Sequence, residues 1–282
     1  MKRPVIFTDL DGTLLDPRTY SFDAALPALD ILQARHIPLV ICSSKTRAEI
    51  EHYRLKFGNT DPFISENGGA VFIPKGYFSE GIESFISFEE DEKGNYRIIR
   101  LGARYRDLRR TVLELREAGY DIKGFGDMTT EEIVLATGLS RAEAAMAKMR
   151  EFDEPFTFRG DARELEGLVN AVKQKGFDIT QGLFFHILGN SDKGKAVSIL
   201  IDIYRRHYGE IVTIALGDSA NDIPMLLCVD HPIIVRKSNG SYDPHFAREN
   251  FVCAAGMGPE GWNIAVTELL GQTQIDNENK KN

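Results

Sequence analysis

The 282-residue sequence predicts an α/β fold, with a doubly wound, Rossmann-like parallel sheet as the core and an inserted α+β cap domain. Two observations favour this class. Short apolar runs alternate with helix-length segments in the first 80 residues and again after residue 188, which is typical of parallel sheets covered by helices. Between these halves the alternation gives way to amphipathic helices and two strand-like runs.

The first 80 residues alternate between short apolar, β-branched runs and longer segments of helical periodicity. Glycine turns separate these segments, and the sharpest of them is predicted at residues 66–69. In order, the predicted elements are a strand at 5–7, a helix at about 22–35, a strand at 38–41, a helix at about 46–57, and strands at 63–64 and 71–73.

The middle block predicts the cap, and the segment after it returns to the core pattern. In the cap we expect strands at 96–99 and 184–188 and helices at 105–118, 141–152 and 163–175, with a capping box between Ser140 and Glu143. Buried strands at 211–216 and 233–235 follow. The predicted domains are a core of residues 1–80 and 189–271, a cap of residues 81–188, and a disordered tail at 272–282.

Composition narrows the classes of function. With 43% apolar and 27% charged residues the chain is ordinary globular protein, and its net charge of −8 argues against nucleic acid or an anionic membrane as the main partner. No run approaches the roughly 18 apolar residues of a membrane span. Three widely spaced cysteines and the lack of a secretory leader favour a reducing, cytoplasmic setting. The oligomeric state is left open.

Two carboxylates, Asp9 and Asp11, follow the first predicted strand. Ligands of open α/β sheets bind outside the carboxyl ends of strands, so a site is expected here. Such a pair could bind magnesium, perform covalent catalysis, or do both. The alternative is an ordinary turn, in which Asp and Gly are common.

A second acidic group, formed by Asp218, Asn221 and Asp222, follows the strand at 211–216. Its spacing can present several oxygen atoms to one hard cation. Alternatively, Asp218 or Ser219 simply caps the next helix.

Two more segments could bind an anion. Lys193 is predicted at the start of a helix, where its positive charge is unfavourable beside the positive end of the helix dipole. A phosphate bound nearby would offset that cost, and a solvated lysine is the alternative. Ser43 and Ser44 follow the strand at 38–41 and offer hydroxyl groups beside a helix N-terminus, although either could be a plain N-cap.

Taken together, these segments resemble the four ordered motifs of the haloacid dehalogenase superfamily, and the inserted block resembles the large cap of its Cof-type subgroup. The motifs are Asp9-Leu10-Asp11-Gly12-Thr13, then Ser43, then Lys193, then Gly217-Asp218 with Asn221-Asp222.

Segments outside these motifs resemble the mannosyl-3-phosphoglycerate phosphatase family. The segments are Gly124-Phe125-Gly126-Asp127-Met128-Thr129, Thr137-Gly138-Leu139-Ser140, Arg150-Glu151-Phe152-Asp153-Glu154-Pro155-Phe156, Phe185-His186, Gly189-Asn190-Ser191-Asp192-Lys193-Gly194-Lys195 and Gly258-Pro259-Glu260-Gly261-Trp262-Asn263. One departure is Leu183, which stands where members of the family often carry an arginine. If that arginine holds the glycerate carboxylate, the substrate could differ in this chain.

The resemblance implies a phosphatase in which Asp9 attacks phosphorus and forms an aspartyl-phosphate. Asp11 would protonate the leaving oxygen and then activate water, provided that it faces the leaving group and not the metal. Lys193 would oppose the charge of the phosphate, and the Ser43 hydroxyl, with Ser44 beside it, would hold a phosphoryl oxygen.

The resemblance also implies Mg²⁺ as the cofactor. Its ligands would be Asp9, the backbone carbonyl of Asp11, and Asp218, with Asn221 or Asp222 in support.

In the cap, Arg150, Glu151 and His186 are candidates for contacts with the substrate's hydroxyl and carboxylate groups. Arg150 and Glu151 could equally be solvated, and His186 on an apolar strand could be a core histidine.

The implied substrate is a small phosphorylated sugar-glycerate, namely mannosyl-3-phosphoglycerate. Alternatives are glucosyl-3-phosphoglycerate, another sugar phosphate, a phosphomutase reaction, and, in a different class, a non-catalytic sugar-phosphate sensor.

Overall fold

The computed structural model describes residues 2–78 and 86–279, and of residues 272–279 it describes the backbone alone. In chain order the strands are β1 (Arg3–Thr8), β2 (Leu39–Cys42), β3 (Phe63–Ser65), β4 (Ala70–Pro74), β5 (Glu89–Glu90), β6 (Tyr96–Arg100), β7 (Ile122–Gly124), β8 (Asp153–Phe158), β9 (Asp178–Gln181), β10 (Phe185–Leu188), β11 (Ile211–Gly217), β12 (His231–Arg236) and β13 (Val252–Met257).

The helices connect these strands, together with short 3₁₀ turns. In chain order the helices are α1 (Leu26–Ala34), α2 (Arg47–Phe57), α3 (Tyr105–Glu117), α4 (Thr130–Thr137), α5 (Arg141–Ala147), α6 (Ala162–Gln174), α7 (Lys193–Tyr208), α8 (Ile223–Leu226) and α9 (Gly258–Asn279). The predicted capping box between Ser140 and Glu143 is confirmed at the start of α5.

Within the described residues a large sheet has the order β13-β12-β11-β1-β2-β3-β4-β6-β5. The six strands from β13 to β3 are parallel, and the rest pair antiparallel. From β1 the chain runs first to β2 on one side and returns much later at β11 on the other. The carboxyl end of β1 is therefore a topological switch point, where open α/β sheets bind their ligands. This confirms the predicted fold class.

A second, antiparallel sheet, with the order β7-β8-β10-β9, forms the cap together with α3 and α6. One placement was wrong. The strand predicted at 96–99 was assigned to the cap, but as β6 it pairs with β4 in the large sheet, from Ala70 opposite Arg100 to Pro74 opposite Tyr96. The other domain bounds stay predictions, as does the disordered tail at 272–282, of which the backbone of residues 272–279 continues α9.

The two faces of the large sheet bury separate cores. Alternate residues of a strand face opposite sides, so Ile6 packs in a cluster with Trp262, whereas Val5 and Phe7 pack in a cluster with α7. Both faces of β1 are thus covered, and its end is held from both sides. Among the described residues no helix has the length and apolar character needed to cross a membrane.

Gly68 lets the turn after β3 approach the start of α7. Its backbone has a φ of +90°, and a Cβ atom placed there would lie 2.1 Å from the backbone oxygen of Asp192. A residue with a side chain would separate the two segments. The glycine therefore helps to set the position of Lys193, the first residue of α7.

Trp262 is fully buried and does not line the large cavity described below. Its indole Nε1 donates a hydrogen bond of 3.0 Å to Thr8 Oγ1, which donates one of 2.8 Å to the backbone oxygen of Asp9. The side chain thus supports the chain next to Asp9 from beneath.

We expect Trp262→Phe to lower the free energy of unfolding by about 1–3 kcal/mol, because it removes a buried donor and leaves a small cavity. Urea denaturation measures this change. Leu135→Ala, at an exposed apolar side chain, is the control and should shift the value by no more than about 0.5 kcal/mol. Equal changes in both variants would contradict the proposed support.

Candidate active site

Lys193 joins two carboxylates beneath the end of β1. Its Nζ lies 2.7 Å from Asp9 Oδ1 and 2.6 Å from Asp222 Oδ1, and the lysine is 1% exposed. Burial alone would lower the pKa of Lys193, but the charges of Asp222 and Asp9 outweigh burial and raise it above its ordinary value. The ammonium group therefore carries its charge at neutral pH, and the lysine is not a solvated one.

The loop after β11 is arranged around Asp222. Its Oδ2 accepts hydrogen bonds from the backbone N–H groups of Asp218, at 3.0 Å, and Ser219, at 3.1 Å. Asn221 is engaged as well, since its Oδ1 accepts from Ser219 Oγ and its Nδ2 donates to Asn67 Oδ1. Asp222 thus shapes the loop, while Asp218 and Asn221 line the cavity.

The carboxylates fit a divalent cation. Ligand oxygens of Asp9, Asp218 and Asp222 lie within 4.8 Å of one another, and the buried Oδ1 of Asp218 has no hydrogen-bond partner among the described residues. A Cβ atom on Gly12 would lie 2.6 Å from Asp218 Oδ2, so a glycine, with its φ of +80°, is needed where the two loops meet. Hard oxygen ligands of this kind suit Mg²⁺.

Burial and mutual repulsion disfavour the ionised forms of Asp9 and Asp218. Burial raises the pKa of Asp9 well above its usual value; Lys193 opposes the shift, while Asp222 and Asp218 reinforce it. The pKa of Asp218 is raised to about 7, by burial first and by the charge of Asp222 second. A bound cation would favour the ionised form of both carboxylates.

Asp11 points to a different partner. Its Oδ1 lies 3.0 Å from the Nζ of Lys45, a lysine that is 5% exposed, and the Asp11 side chain is 39% exposed. Asp11 is not part of the carboxylate group formed by Asp9, Asp218 and Asp222. The two aspartates after β1 therefore have separate surroundings, and the role of Asp11 towards a leaving group stays a prediction.

The serines after β2 do not cap α2. Thr46 does, because its hydroxyl accepts from Glu49 N while the Glu49 carboxylate accepts from Thr46 N. Ser43 is fully buried and accepts a 3.3 Å hydrogen bond from Lys45 N, whereas Ser44 lines the cavity. The N-cap alternative was therefore wrong for both serines, and their roles in phosphate binding stay predictions.

A cavity of about 830 Å³ lies between the cap and the core. Residues of both domains line it, among them Asp9, Asp11, Lys45 and His186. Its volume is in the range of small-molecule sites.

Two of the three predicted cap residues line the cavity, and the third does not. Arg150 and His186 line the cavity, and both bind the buried Asp153, at 2.8 Å from Arg150 Nη1 and 3.0 Å from His186 Nδ1. Glu151 does not line it; its carboxylate pairs with Arg47 Nε at 3.2 Å. The structure thus brings Arg150 and His186 to the site and leaves Glu151 outside it.

Sequence reasoning missed a chain of polar side chains that joins the cap to the loop after β11. Asn67 donates to Asp153 Oδ2 at 3.2 Å and accepts from Asn221 Nδ2 at 3.1 Å. The signal in the sequence was the Asn67-Gly68 pair, because Asn and Gly are the residues that most readily adopt a positive φ. Asn67 has a φ of +57°. Lys45 was also missed, although it adjoins the two serines that were singled out.

Glu66 anchors the start of β8. Its carboxylate accepts hydrogen bonds from the backbone N–H groups of Glu151, Phe152 and Asp153, at distances from 2.8 to 3.2 Å. Burial and the neighbouring charge of Asp153 raise the pKa of Glu66 to about 8, although Arg150 and the N–H donors oppose the shift. One core carboxyl group thus holds the cap strand that carries Asp153.

Comparison with known proteins assigns the family. Residues 6–87 match the model of the haloacid dehalogenase-like hydrolases. A glucosyl-3-phosphoglycerate/mannosyl-3-phosphoglycerate phosphatase of Methanococcoides burtonii is 46% identical over 270 residues, which are 95% of this chain and 97% of that protein. The chain belongs to the mannosyl-3-phosphoglycerate phosphatase family. It is accordingly a phosphoric monoester hydrolase of the haloacid dehalogenase superfamily.

Other relatives agree with this family. A mannosyl-3-phosphoglycerate phosphatase of Pyrococcus horikoshii is 42% identical over 233 residues, which are 82% of this chain and 90% of that protein. Among solved structures, a Thermoplasma acidophilum protein is 18% identical with a TM-score of 0.67, and the sucrose-phosphatase of Synechocystis is 14% identical with a TM-score of 0.60. Each comparison covers 95% of this chain and 98% of the other, and at these identities each shows the fold alone.

We expect the free energy of unfolding to depend on pH through Glu66. The folded-state pKa of about 8 lies above the ordinary value of 4.5, so the folded protein binds the extra proton and loses stability as pH rises towards 8. The expected slope is about 1 kcal/mol per pH unit between about pH 5 and pH 8.

Urea denaturation at a series of pH values measures this slope, in saturating Mg²⁺, which would favour the ionised forms of Asp9 and Asp218. Glu66→Gln cannot titrate and should flatten the dependence by that amount. An unchanged slope in the variant would show that Glu66 is already ionised in the folded protein.

Proposed function

We propose that the chain hydrolyses mannosyl-3-phosphoglycerate to mannosylglycerate and phosphate through an aspartyl-phosphate on Asp9. The observation that carries the proposal is the separation of two neighbouring aspartates at one cavity. Asp9 pairs with Lys193 beside the metal-binding carboxylates, whereas Asp11 pairs with Lys45. One carboxylate is thus suited to attack and the other to transfer protons.

In the first half-reaction a carboxylate oxygen of Asp9 attacks phosphorus. The bond between phosphorus and the glycerate oxygen breaks, and that oxygen takes a proton from the Asp11 carboxyl group. Lys193 offsets the negative charge that gathers around Asp9. Mg²⁺, held by Asp9, the backbone carbonyl of Asp11 and Asp218, would supply the charge neutralisation that lets an anion approach a phosphate dianion.

In the second half-reaction Asp11 is a carboxylate and takes a proton from water. The water oxygen attacks phosphorus, the bond to Asp9 breaks, and phosphate leaves with the Asp9 carboxylate restored. Ser44 lines the cavity beside Asp11 and supports a role in holding a phosphoryl oxygen. The Ser43 hydroxyl is buried, so its role would be to orient the loop through Lys45 N.

The cap supports recognition of a sugar-glycerate. Arg150 and His186 are the predicted cap residues that line the cavity, and His186 remains a candidate for a carboxylate or hydroxyl contact. Leu183, where the family often has an arginine, also lines the cavity and is 80% exposed. A glycerate carboxylate in this chain would therefore need another cation.

A second substrate is favoured by a specific observation. Two relatives, at 46% and 42% identity over nearly the whole chain, are named for both the glucosyl and the mannosyl compound. We therefore propose glucosyl-3-phosphoglycerate as the alternative substrate.

A cytoplasmic location is supported by Cys42, Cys228 and Cys253, which are all unpaired.

We expect Asp9→Asn to lower phosphate release in Mg²⁺ by at least about 10³-fold, because an amide cannot form the aspartyl-phosphate. A phosphate-release assay with circular dichroism as the folding check measures this. Asp30→Asn, at an exposed aspartate of α1, is the control and should retain full activity. Retained turnover in Asp9→Asn would sink the nucleophile assignment.

We expect the two glycosyl-3-phosphoglycerates to give the highest kcat/KM in a Mg²⁺-dependent screen, at least about tenfold above a hexose phosphate without glycerate. A best substrate without glycerate would overturn the substrate class and leave the reaction class intact. Transfer of the phosphoryl group to a second hydroxyl, with no free phosphate, would indicate a mutase. Binding without any turnover would indicate a sensor.

A further inference from the structure

We propose that Lys45 is a positioning residue that holds the Asp11 carboxyl group on the leaving-group side of the cavity. The inference rests on the proposed function, in which Asp11 exchanges protons with the leaving oxygen and with water. Lys45 belongs to the segment after β2 in which only the serines were given a role. It is a cavity-lining lysine whose ammonium group directly contacts Asp11.

The ammonium group of Lys45 is fixed by neighbours other than Asp11. Its Nζ lies 3.4 Å from Glu49 Oε1, and the rings of Tyr20 and Tyr53 have their centroids 5.1 and 5.7 Å away. Glu49 is itself held by the capping box with Thr46. A cation held in this way, on a rigid helix start, can orient a mobile partner.

Asp11 needs such an orienting group. It precedes Gly12, and its side chain is more than one third exposed. A cation bound by Asp9 and Asp218, close by in the chain and in space, would attract a free Asp11 carboxylate towards the metal side. The 3.0 Å contact with Lys45 opposes that movement and keeps the carboxyl group where a leaving oxygen can reach it.

A purely structural role makes a different prediction. If Lys45 only neutralised Glu49, its removal would lower the activity on all phosphate esters alike. If Lys45 bound the substrate directly, its removal would raise KM. Loss of a positioned proton donor lowers kcat, and it does so for esters whose leaving oxygen needs a proton.

The experiment compares two substrates, the best glycosyl-3-phosphoglycerate and p-nitrophenyl phosphate, whose leaving group departs without protonation. The main variant is Lys45→Met combined with Glu49→Gln, which avoids a buried unpaired carboxylate. Lys56→Met is the matched control, because Lys56 is an exposed lysine of α2. Its Nζ lies 5.1 Å from the centroid of the same Tyr53 ring.

We expect the double variant to lose about 10²-fold in kcat on the glycosyl substrate and less than about threefold on p-nitrophenyl phosphate. Lys45→Arg alone, which keeps the positive charge, should lose less kcat on the glycosyl substrate than the double variant does. The Lys56→Met control should match the parent protein on both substrates. Equal losses on both substrates, or a change confined to KM, would overturn the inference.

Asp11→Asn separates this inference from the proposed function. If Asp11→Asn shows the selective loss and the Lys45 variant does not, the role of Lys45 is wrong and the proposed mechanism stands. If Asp11→Asn itself shows no selectivity between the substrates, Asp11 is not the proton donor, and both the mechanism and the role of Lys45 fall.

Discussion

The buried contact of Lys193 with Asp9 and Asp222 is the interaction on which the site depends. It joins three segments that are far apart in the sequence: the end of β1, the start of α7 and the loop after β11. Removing one partner of a buried ion pair typically costs about 3–5 kcal/mol, because the remaining charge stays buried. The same lysine therefore joins these three segments and keeps the carboxylates of Asp9 and Asp222 close to one another.

A second lysine gives the neighbouring aspartates different chemistry. Asp9 is 5% exposed, and burial with the adjacent carboxylates raises its pKa, a shift that the neighbouring Lys193 opposes. Asp11 is more exposed and contacts Lys45. Two side chains of one type, two residues apart, thus have different surroundings, because each contacts a different lysine.

The core of the site could be predicted in part because Asp9 and Asp218 follow strands directly, and parallel strands bring their carboxyl ends together, whereas Lys193 lies at the start of α7. The cap could not be predicted to the same extent. Its inner strand β8 contains Pro155, which argues against a central strand, and the predicted helix at 141–152 ends instead at Ala147. Glu151 was misplaced because its direction depends on the turn before β8, which Glu66 sets through long-range hydrogen bonds.

These contacts also divide the cavity wall into two parts. Arg150 and His186 are tied to Asp153, and Asp153 is tied through Asn67 to the loop that carries Asp218. A change at either cap residue would therefore also disturb the loop after β11. Leu139 and Leu183 also line the cavity, and their side chains carry no hydrogen-bonding groups, so they take no part in this chain. Substitution of either leucine would therefore leave intact the hydrogen bonds that join the cap to the loop after β11.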